Sequence, residues 1–176
     1  MKKICVFCSA NNSLDPAFFQ QTEELGRWIA RQGHQLVFGG VNCGLMECVA
    51  KAVKEAGGYT LGVVPSIVEK SGRTSSYNDQ VMTCGNLSER KQLMLEASDI
   101  FVALPGGVGT LDEVFTVAAS YTIGYHQKKV VLYNIKGFWD SVIHMLDDLE
   151  SKGVVRGNWR DYICIANSLE DIEALL

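Results

Sequence analysis

The sequence predicts an α/β fold, a doubly wound and mainly parallel sheet with helices on both faces. Three observations carry that expectation. Short apolar runs such as Ile100-Phe101-Val102-Ala103-Leu104 are continuous rather than alternating, which suits strands buried on both faces. Segments with apolar residues at helical spacing separate these runs, so strand and helix alternate along the chain. Two of the strand-to-helix junctions, residues 39–46 and 104–113, are rich in glycine. In an open α/β sheet such junctions gather beyond the carboxyl ends of the strands, where ligands bind.

Taken in order, Ile4, Val6, Phe7 and Cys8 form the first strand, followed by a polar turn from Ser9 to Ser13. Asp15-Pro16 reads as an N-cap with proline in the first helical position. Phe18, Phe19, Leu25, Trp28 and Ile29 give that helix its apolar stripe, and Gly33 ends it. Gln35 to Phe38 is a second strand, running into Gly39-Gly40 and a helix that continues through Val49, Ala50 and Val53 to Gly57-Gly58. Leu61 to Val64 is a third. Residues 65–77 are polar and mixed, and are expected to form either a lid or a surface loop. Val81 to Thr83 predicts a short strand. Asn86 or Ser88 then caps a helix carrying Glu89, Arg90 and Lys91; the last two, being adjacent, point in different directions.

After the central helix, Lys129 to Tyr133 predicts a strand, and Trp139, Val142, Ile143, Leu146 and Leu149 an amphipathic helix. Tyr162 to Ile165 gives a last strand, and Ser168 with Asp171 the capping box of a terminal helix. His126 lies close to the end of the central helix, where it reads as a structural or surface residue or as a cation favoured by the helix C-terminus.

Bulk properties narrow the function. A chain of 176 residues with 47% hydrophobic content is expected to form one domain over residues 1–176. A net charge of −4 gives no footprint for nucleic acid or for an anionic membrane surface, though a small anion held locally is compatible with it. The apolar run behind Lys2-Lys3 is too short for a signal peptide, so a cytoplasmic location is expected. Among the six cysteines, Cys5-Val-Phe-Cys8 has redox or zinc spacing. It ends a strand rather than opening a helix, and reads as core thiols. Neither metal nor cofactor is expected.

The segment Leu104-Pro-Gly-Gly-Val-Gly-Thr-Leu-Asp-Glu113 is the chemical centre of the sequence. Gly106, Gly107 and Gly109 can adopt positive φ and bring backbone N–H groups to an anion at a helix N-terminus. No Gly-Lys-Ser/Thr closes the run, so it is not a Walker loop. The simpler reading makes Thr110 an N-cap and Glu113 its capping-box partner. That leaves the glycines and the proline unexplained.

Pro105-Gly-Gly-Val-Gly-Thr-Leu-Asp-Glu113, with Glu89-Arg90-Lys91 ahead of it, resembles the LOG family of cytokinin riboside 5′-monophosphate phosphoribohydrolases, often mislabelled lysine decarboxylases. The resemblance spans nearly the whole chain, including Phe7-Cys8-Ser9, Gly39-Gly40, Gly44-Leu45-Met46 and Ile123-Gly-Tyr-His126. It implies a Rossmann-like nucleotide-binding hydrolase, commonly a homodimer, that cleaves a nucleoside 5′-monophosphate to free base and ribose 5-phosphate. Arg90 and Glu113 then take the catalytic positions. Lys91, Gly106, Gly107, Val108, Gly109, Thr110 and Leu111 bind the nucleotide, and Ser9, Gly39, Gly40 and Met46 line the same pocket. This chain departs from the family pattern at Ser9-Ala10-Asn11, Val41, Glu47, Ser88 and Ala119-Ser120, differences that bear on which base is recognised.

A carboxylate such as Glu113 suits this chemistry, because cleaving a ribosyl bond builds positive charge on the sugar. Arg90 would either hold the phosphate or orient Glu113, and Asp112 and Glu89 are the candidates for the leaving-group acid. The rival reading is a non-catalytic nucleotide carrier, similar to the molybdenum cofactor carrier proteins. Lysine decarboxylation ranks lower, since no lysine stands in a convincing pyridoxal-phosphate context.

Overall fold

The computed structural model describes residues 1–176 as a seven-stranded, all-parallel sheet wrapped by helices. The strands are β1 (Lys3–Phe7), β2 (Gln35–Phe38), β3 (Tyr59–Pro65), β4 (Gln80–Cys84), β5 (Ile100–Ala103), β6 (Val130–Tyr133) and β7 (Ile163–Ala166). The helices are α1 (Pro16–Arg31), α2 (Gly44–Glu55), α3 (Ser66–Lys70), α4 (Leu87–Ala97), α5 (Val108–Thr122), α6 (Asp140–Ser151) and α7 (Leu169–Ala174). Strand order is β4-β3-β2-β1-β5-β6-β7. The chain winds outward from β1 to β4, then returns through α4 to the other side of β1. The winding direction therefore reverses between β1 and β5, where an open α/β sheet leaves a crevice beyond its strand ends.

The two central strands are buried on both faces, as their apolar runs demand. Along β1 the side chains alternate between two cores: Ile4, Val6 and Cys8 join one, with Leu25, Ile29 and Val49 of α1 and α2. Cys5 and Phe7 join the other, with Met94, Val114 and Leu146 of α4, α5 and α6. The period of two thus sends Cys5 and Cys8 to opposite sides of the sheet. Burial raises the pKa of both thiols well above the ordinary value. Parallel pairing of Val6 with Phe38 on one side and Val102 on the other brings the ends of β1, β2 and β5 level.

Local side-chain caps set three of the seven helix starts. The Asp15 carboxylate accepts from the Ala17 N–H at 2.9 Å, with Pro16 opening α1. Asn86 accepts from the Glu89 N–H at 2.9 Å and so caps α4. Ser168 and Asp171 form the predicted capping box on α7. No helix is long and apolar enough to cross a membrane.

Three expectations need correction. The polar segment 65–77 is not structureless: it carries α3, and Thr74 forms an antiparallel bridge with Val41. The central helix begins earlier than a Thr110 cap allows, with Gly107 as the N-cap and no side-chain cap bond. Thr110 and Glu113 lie inside α5 and are buried, because tertiary packing against the sheet end outweighs the local capping pattern. Finally, Gly106, Gly107 and Gly109 all have ordinary φ, whereas Gly40 (φ +70°) and Gly44 (φ +56°) at the other junction are left-handed.

A Cβ at Gly40 would also strike Val64. Gly40→Ala is therefore expected to destabilise the fold by about 1–3 kcal/mol. Gly109 has open space around it, and Gly109→Ala is expected to leave stability unchanged or raise it by up to about 1 kcal/mol. Thermal unfolding of the two variants checks the contrast.

Candidate active site

The crevice between β1 and β5 contains a cavity of about 220 Å³ lined by Cys8, Ser9, Ala10, Met46, Arg90, Gly107, Gly109, Thr110 and Glu113. These come from the β1 loop, α2, α4 and α5, so segments far apart in sequence meet at the reversal point. The Ser9 N–H donates to the Pro105 carbonyl at 3.1 Å, fastening the two loops to each other. Larger clefts exist elsewhere, one of about 570 Å³ between α1 and the start of α7, but none has a glycine loop or a buried carboxylate.

The two glycine junctions do different work. At α2 the helix N-terminus is already occupied: Gly44 N–H donates to Asn12 Oδ1 at 2.7 Å and Leu45 N–H to the Ser9 carbonyl at 2.9 Å. Gly44 has no room for a Cβ against Ala10 and Asn11, so this junction clamps the β1 loop. At α5 no side chain caps the first turn, and Gly107 and Gly109 expose it to the cavity. An anion placed there meets free N–H groups and the positive end of the helix dipole. Gly106 serves a packing need, since a Cβ there would collide with Thr110.

At the cavity wall Arg90 and Glu113 face each other, Nη1 to Oε1 at 3.3 Å, with side chains only 11% and 8% exposed. Arg90 also donates from Nε to the Val63 carbonyl at 3.0 Å and from Nη2 to the Gly39 carbonyl at 3.1 Å. A Cβ at Gly39 would displace that guanidinium and press on Met46 Sδ. The carbonyls at the ends of β2 and β3 therefore hold the cation, and the cation holds Glu113. Burial pushes the Glu113 pKa up to about 7, with Arg90 opposing and Asp112 adding to the rise.

Seven expected residues line the cavity: Ser9, Met46, Arg90, Gly107, Gly109, Thr110 and Glu113. Six do not. Gly39 lies against the Arg90 guanidinium, Gly40 packs on Val64 and Gly62, Gly106 lies under Thr110, and Leu111 packs into the core on the α5 side. Val108 stands on the rim, 84% exposed. Lys91 Nζ lies 2.7 and 2.8 Å from the two Asp112 oxygens, away from the cavity. Asp112 is thereby engaged, and Glu89 accepts from the Gly85 N–H at 2.7 Å, so neither acid candidate reaches the cavity. Cys8 and Ala10 line it unexpectedly, although their position beside Ser9 at a strand end is the signal that could have found them. His126 is held below its ordinary pKa by burial and Lys128, contrary to a favoured cation.

Residues 46–176 match the family model described as "Possible lysine decarboxylase". The chain is 36% identical over 154 residues to a probable cytokinin riboside 5′-monophosphate phosphoribohydrolase, LOGL9, of Oryza sativa subsp. japonica, covering 88% of this chain and 68% of that one. The chain belongs to the LOG family. Its similarity to LOG5 of Arabidopsis thaliana, a cytokinin riboside 5′-monophosphate phosphoribohydrolase, is 32% identity over 99% of this chain and 77% of that one. Among solved structures, the X-ray structure of TM1055 superposes with a TM-score of 0.78 at 28% identity, covering 99% and 98% of the two chains. The molybdenum cofactor carrier protein of Chlamydomonas reinhardtii gives 0.77 at 25% identity over 99% and 94%. The LOG fold is thus shared by proteins whose names describe hydrolysis and proteins whose names describe carriage.

The buried carboxyl has a thermodynamic signature. Glu113 titrates near its ordinary value of 4.5 when unfolded and near 7 when folded. Between those values the unfolded chain releases a proton that the folded chain keeps. Folding therefore loses stability as pH rises through the window, and the loss is complete above it. Glu113→Gln mimics the neutral carboxyl at every pH. Relative to wild type, its stability is expected to be unchanged near pH 4 and to gain on the order of 2–3 kcal/mol above about pH 8, read from urea unfolding across that range.

Proposed function

We propose that this chain hydrolyses the N-glycosidic bond of a purine nucleoside 5′-monophosphate, AMP or an N6-modified AMP such as a cytokinin ribotide. The products are the free base and ribose 5-phosphate. One observation carries the reading: a buried carboxylate, Glu113, is fixed by Arg90 in a cavity that also receives the uncapped N-terminus of α5. The names of the LOG relatives support the same reaction.

At about 220 Å³ the cavity is smaller than the roughly 300–1,000 Å³ of typical ligand pockets. It suits a phosphorylated pentose, with the base at the open rim beside Val108. The 5′-phosphate sits on the first turn of α5, where its binding energy positions the sugar. The C1′–N bond breaks with its electron pair leaving on the base, and a water oxygen bonds to C1′. Ionised Glu113 stabilises the cationic sugar and takes the proton from that water, while the departing base takes one proton from solvent and Glu113 later returns its own to solvent, so the protons balance. Arg90, its guanidinium held by two carbonyls, acts here as the orienter of Glu113 and favours its charged form.

The reading extends to a homodimer in the cytoplasm, the latter supported by six free cysteines. A carrier role for a nucleotide-like cofactor is the second reading, supported by the superposition on the Chlamydomonas protein. A carrier has no need of a carboxylate buried against Arg90, which favours hydrolysis.

Incubation with AMP and with N6-isopentenyl-AMP is expected to release free base, detected chromatographically. Glu113→Gln should fold and lose at least about a hundredfold in kcat. Because Glu113 works as the anion, kcat of wild type is expected to rise with pH and level off above about 7. No base from either nucleotide, together with tight ligand copurification, would replace the enzyme by the carrier.

A further inference from the structure

The segment between α3 and β4 crosses the glycine junction at residues 39–46 as a strap. Asn42 N–H donates to the Arg73 carbonyl at 2.9 Å, and Ser75 N–H to the Gly40 carbonyl at 2.8 Å. The Asn78 side-chain amide donates from Nδ2 to the Gly40 carbonyl at 3.2 Å and to the Ser75 carbonyl at 2.9 Å. At the strap's far end, the Thr60 N–H donates to Asp79 Oδ2 at 2.9 Å.

Asn78 fits this place closely. A Cβ on Gly62 would overlap its Oδ1, and would lie 2.9 Å from the Gly40 Cα, so Gly40, Gly62 and the amide are in direct contact. The Oδ1 atom is buried with no hydrogen-bond partner. Rotating the amide would turn Oδ1 onto the Gly40 and Ser75 carbonyls, which repel it, so the orientation is fixed by its donor. An unpartnered buried acceptor is unfavourable by about 1–3 kcal/mol. A side chain kept here against that penalty points to a use for its N–H group.

We propose that Asn78 is a positioning residue whose amide, anchored on the Gly40 carbonyl, fixes the Gly39–Gly40 turn and thereby sets where the Arg90–Glu113 pair stands in the cavity. The linkage is short. Gly40 is bonded to Gly39, the Gly39 carbonyl receives Arg90 Nη2 at 3.1 Å, and Arg90 Nη1 meets Glu113. Asn78 itself does not line the cavity and touches no reacting atom. The charged and titratable groups around Glu113 are Arg90 and Lys91 from α4, Asp112 from α5, and the Cys5 and Cys8 thiols at β1. Only Arg90 is tied to the strap.

The kinetic part of the test rests on the hydrolytic reading; a direct ¹³C NMR titration of the Glu113 carboxyl does not. Asn78→Leu keeps the shape and loses the donor, Asn78→Ala loses both, and Asp79→Asn weakens the strap away from the turn. For Asn78→Leu and Asn78→Ala, kcat on AMP is expected to fall by about tenfold or more, since small displacements of reacting groups have effects up to roughly a hundredfold. KM should stay within about twofold, because the phosphate cradle on α5 is untouched. The Glu113 midpoint should rise in both as Arg90 loosens, whereas Asp79→Asn should move neither kcat nor midpoint. Folded Asn78 variants with the wild-type midpoint overturn the proposal, and so does Asn78→Leu retaining full kcat. Should wild type release no base, the hydrolytic reading fails by itself and the carboxyl titration still decides the role of Asn78.

Discussion

The whole arrangement depends on the Arg90 guanidinium being held by backbone carbonyls. Lysine in its place would satisfy the charge but not the geometry, because the planar fork reaches Val63, Gly39 and Glu113 from Nε, Nη2 and Nη1 at once. A buried ion pair is poor evidence for stability, since removing two charges from water costs several kcal/mol per ion and the attraction seldom exceeds it. The Arg90–Glu113 pair is better understood as a means of keeping a buried carboxylate at the cavity wall at one orientation. Gly39 follows from that requirement, because any side chain there occupies the cation's place.

From this constraint comes the division of labour between the two helix N-termini. Both α2 and α5 begin at glycine-rich turns beyond adjacent parts of the sheet, and on dipole grounds both could hold an anion. The α2 terminus is spent on Asn12 and Ser9, which fixes the β1 loop over the cavity. The α5 terminus has no side-chain cap and faces inward. With Arg90 engaged by carbonyls and Glu113, and Lys91 by Asp112, the main-chain amides of α5 remain the natural holders of a phosphate. On the proposed reading, a phosphate is gripped there without drawing Arg90 away from the carboxylate.

Much of this was legible in the sequence, and for local reasons. Continuous apolar runs mark strands buried on both faces, and Asp15-Pro16, Asn86 and Ser168 mark helix starts through bonds made within a few residues. The junctions at residues 39–46 and 104–113 located the crevice, and Arg90 with Glu113 emerged from motif resemblance. What escaped depended on long-range packing. Thr110 and Glu113 have capping-box spacing, but the sheet end draws both inward and leaves Gly107 as the cap. Glycine in a sequence does not say whether it is required for its φ, as at Gly40, or for its missing Cβ, as at Gly39 and Gly106. The polar stretch 65–77 carries no sign that its continuation crosses back to Gly40, since those bonds span more than thirty residues.

Several unfavourable features of the fold lie around the candidate site. Gly40 and Gly44 are left-handed, Glu113 is a carboxyl lifted to about 7, and three of the six unpartnered buried polar atoms, on Glu47, Thr74 and Asn78, lie next to the junction at residues 39–46. At the β7 edge of the sheet, Ser168 and Asp171 form a reciprocal capping box. A sequence selected for stability alone would have replaced Glu113 by a neutral side chain and Asn78 by an apolar one of similar shape. Glu113 at the cavity wall and Asn78 against the Gly40 turn behind Arg90 are two places where a local rule gives way, as happens at functional sites. The same reasoning ranks Glu113 above the better solvated Asp112, which pairs with Lys91 at the surface and does nothing the fold must accommodate.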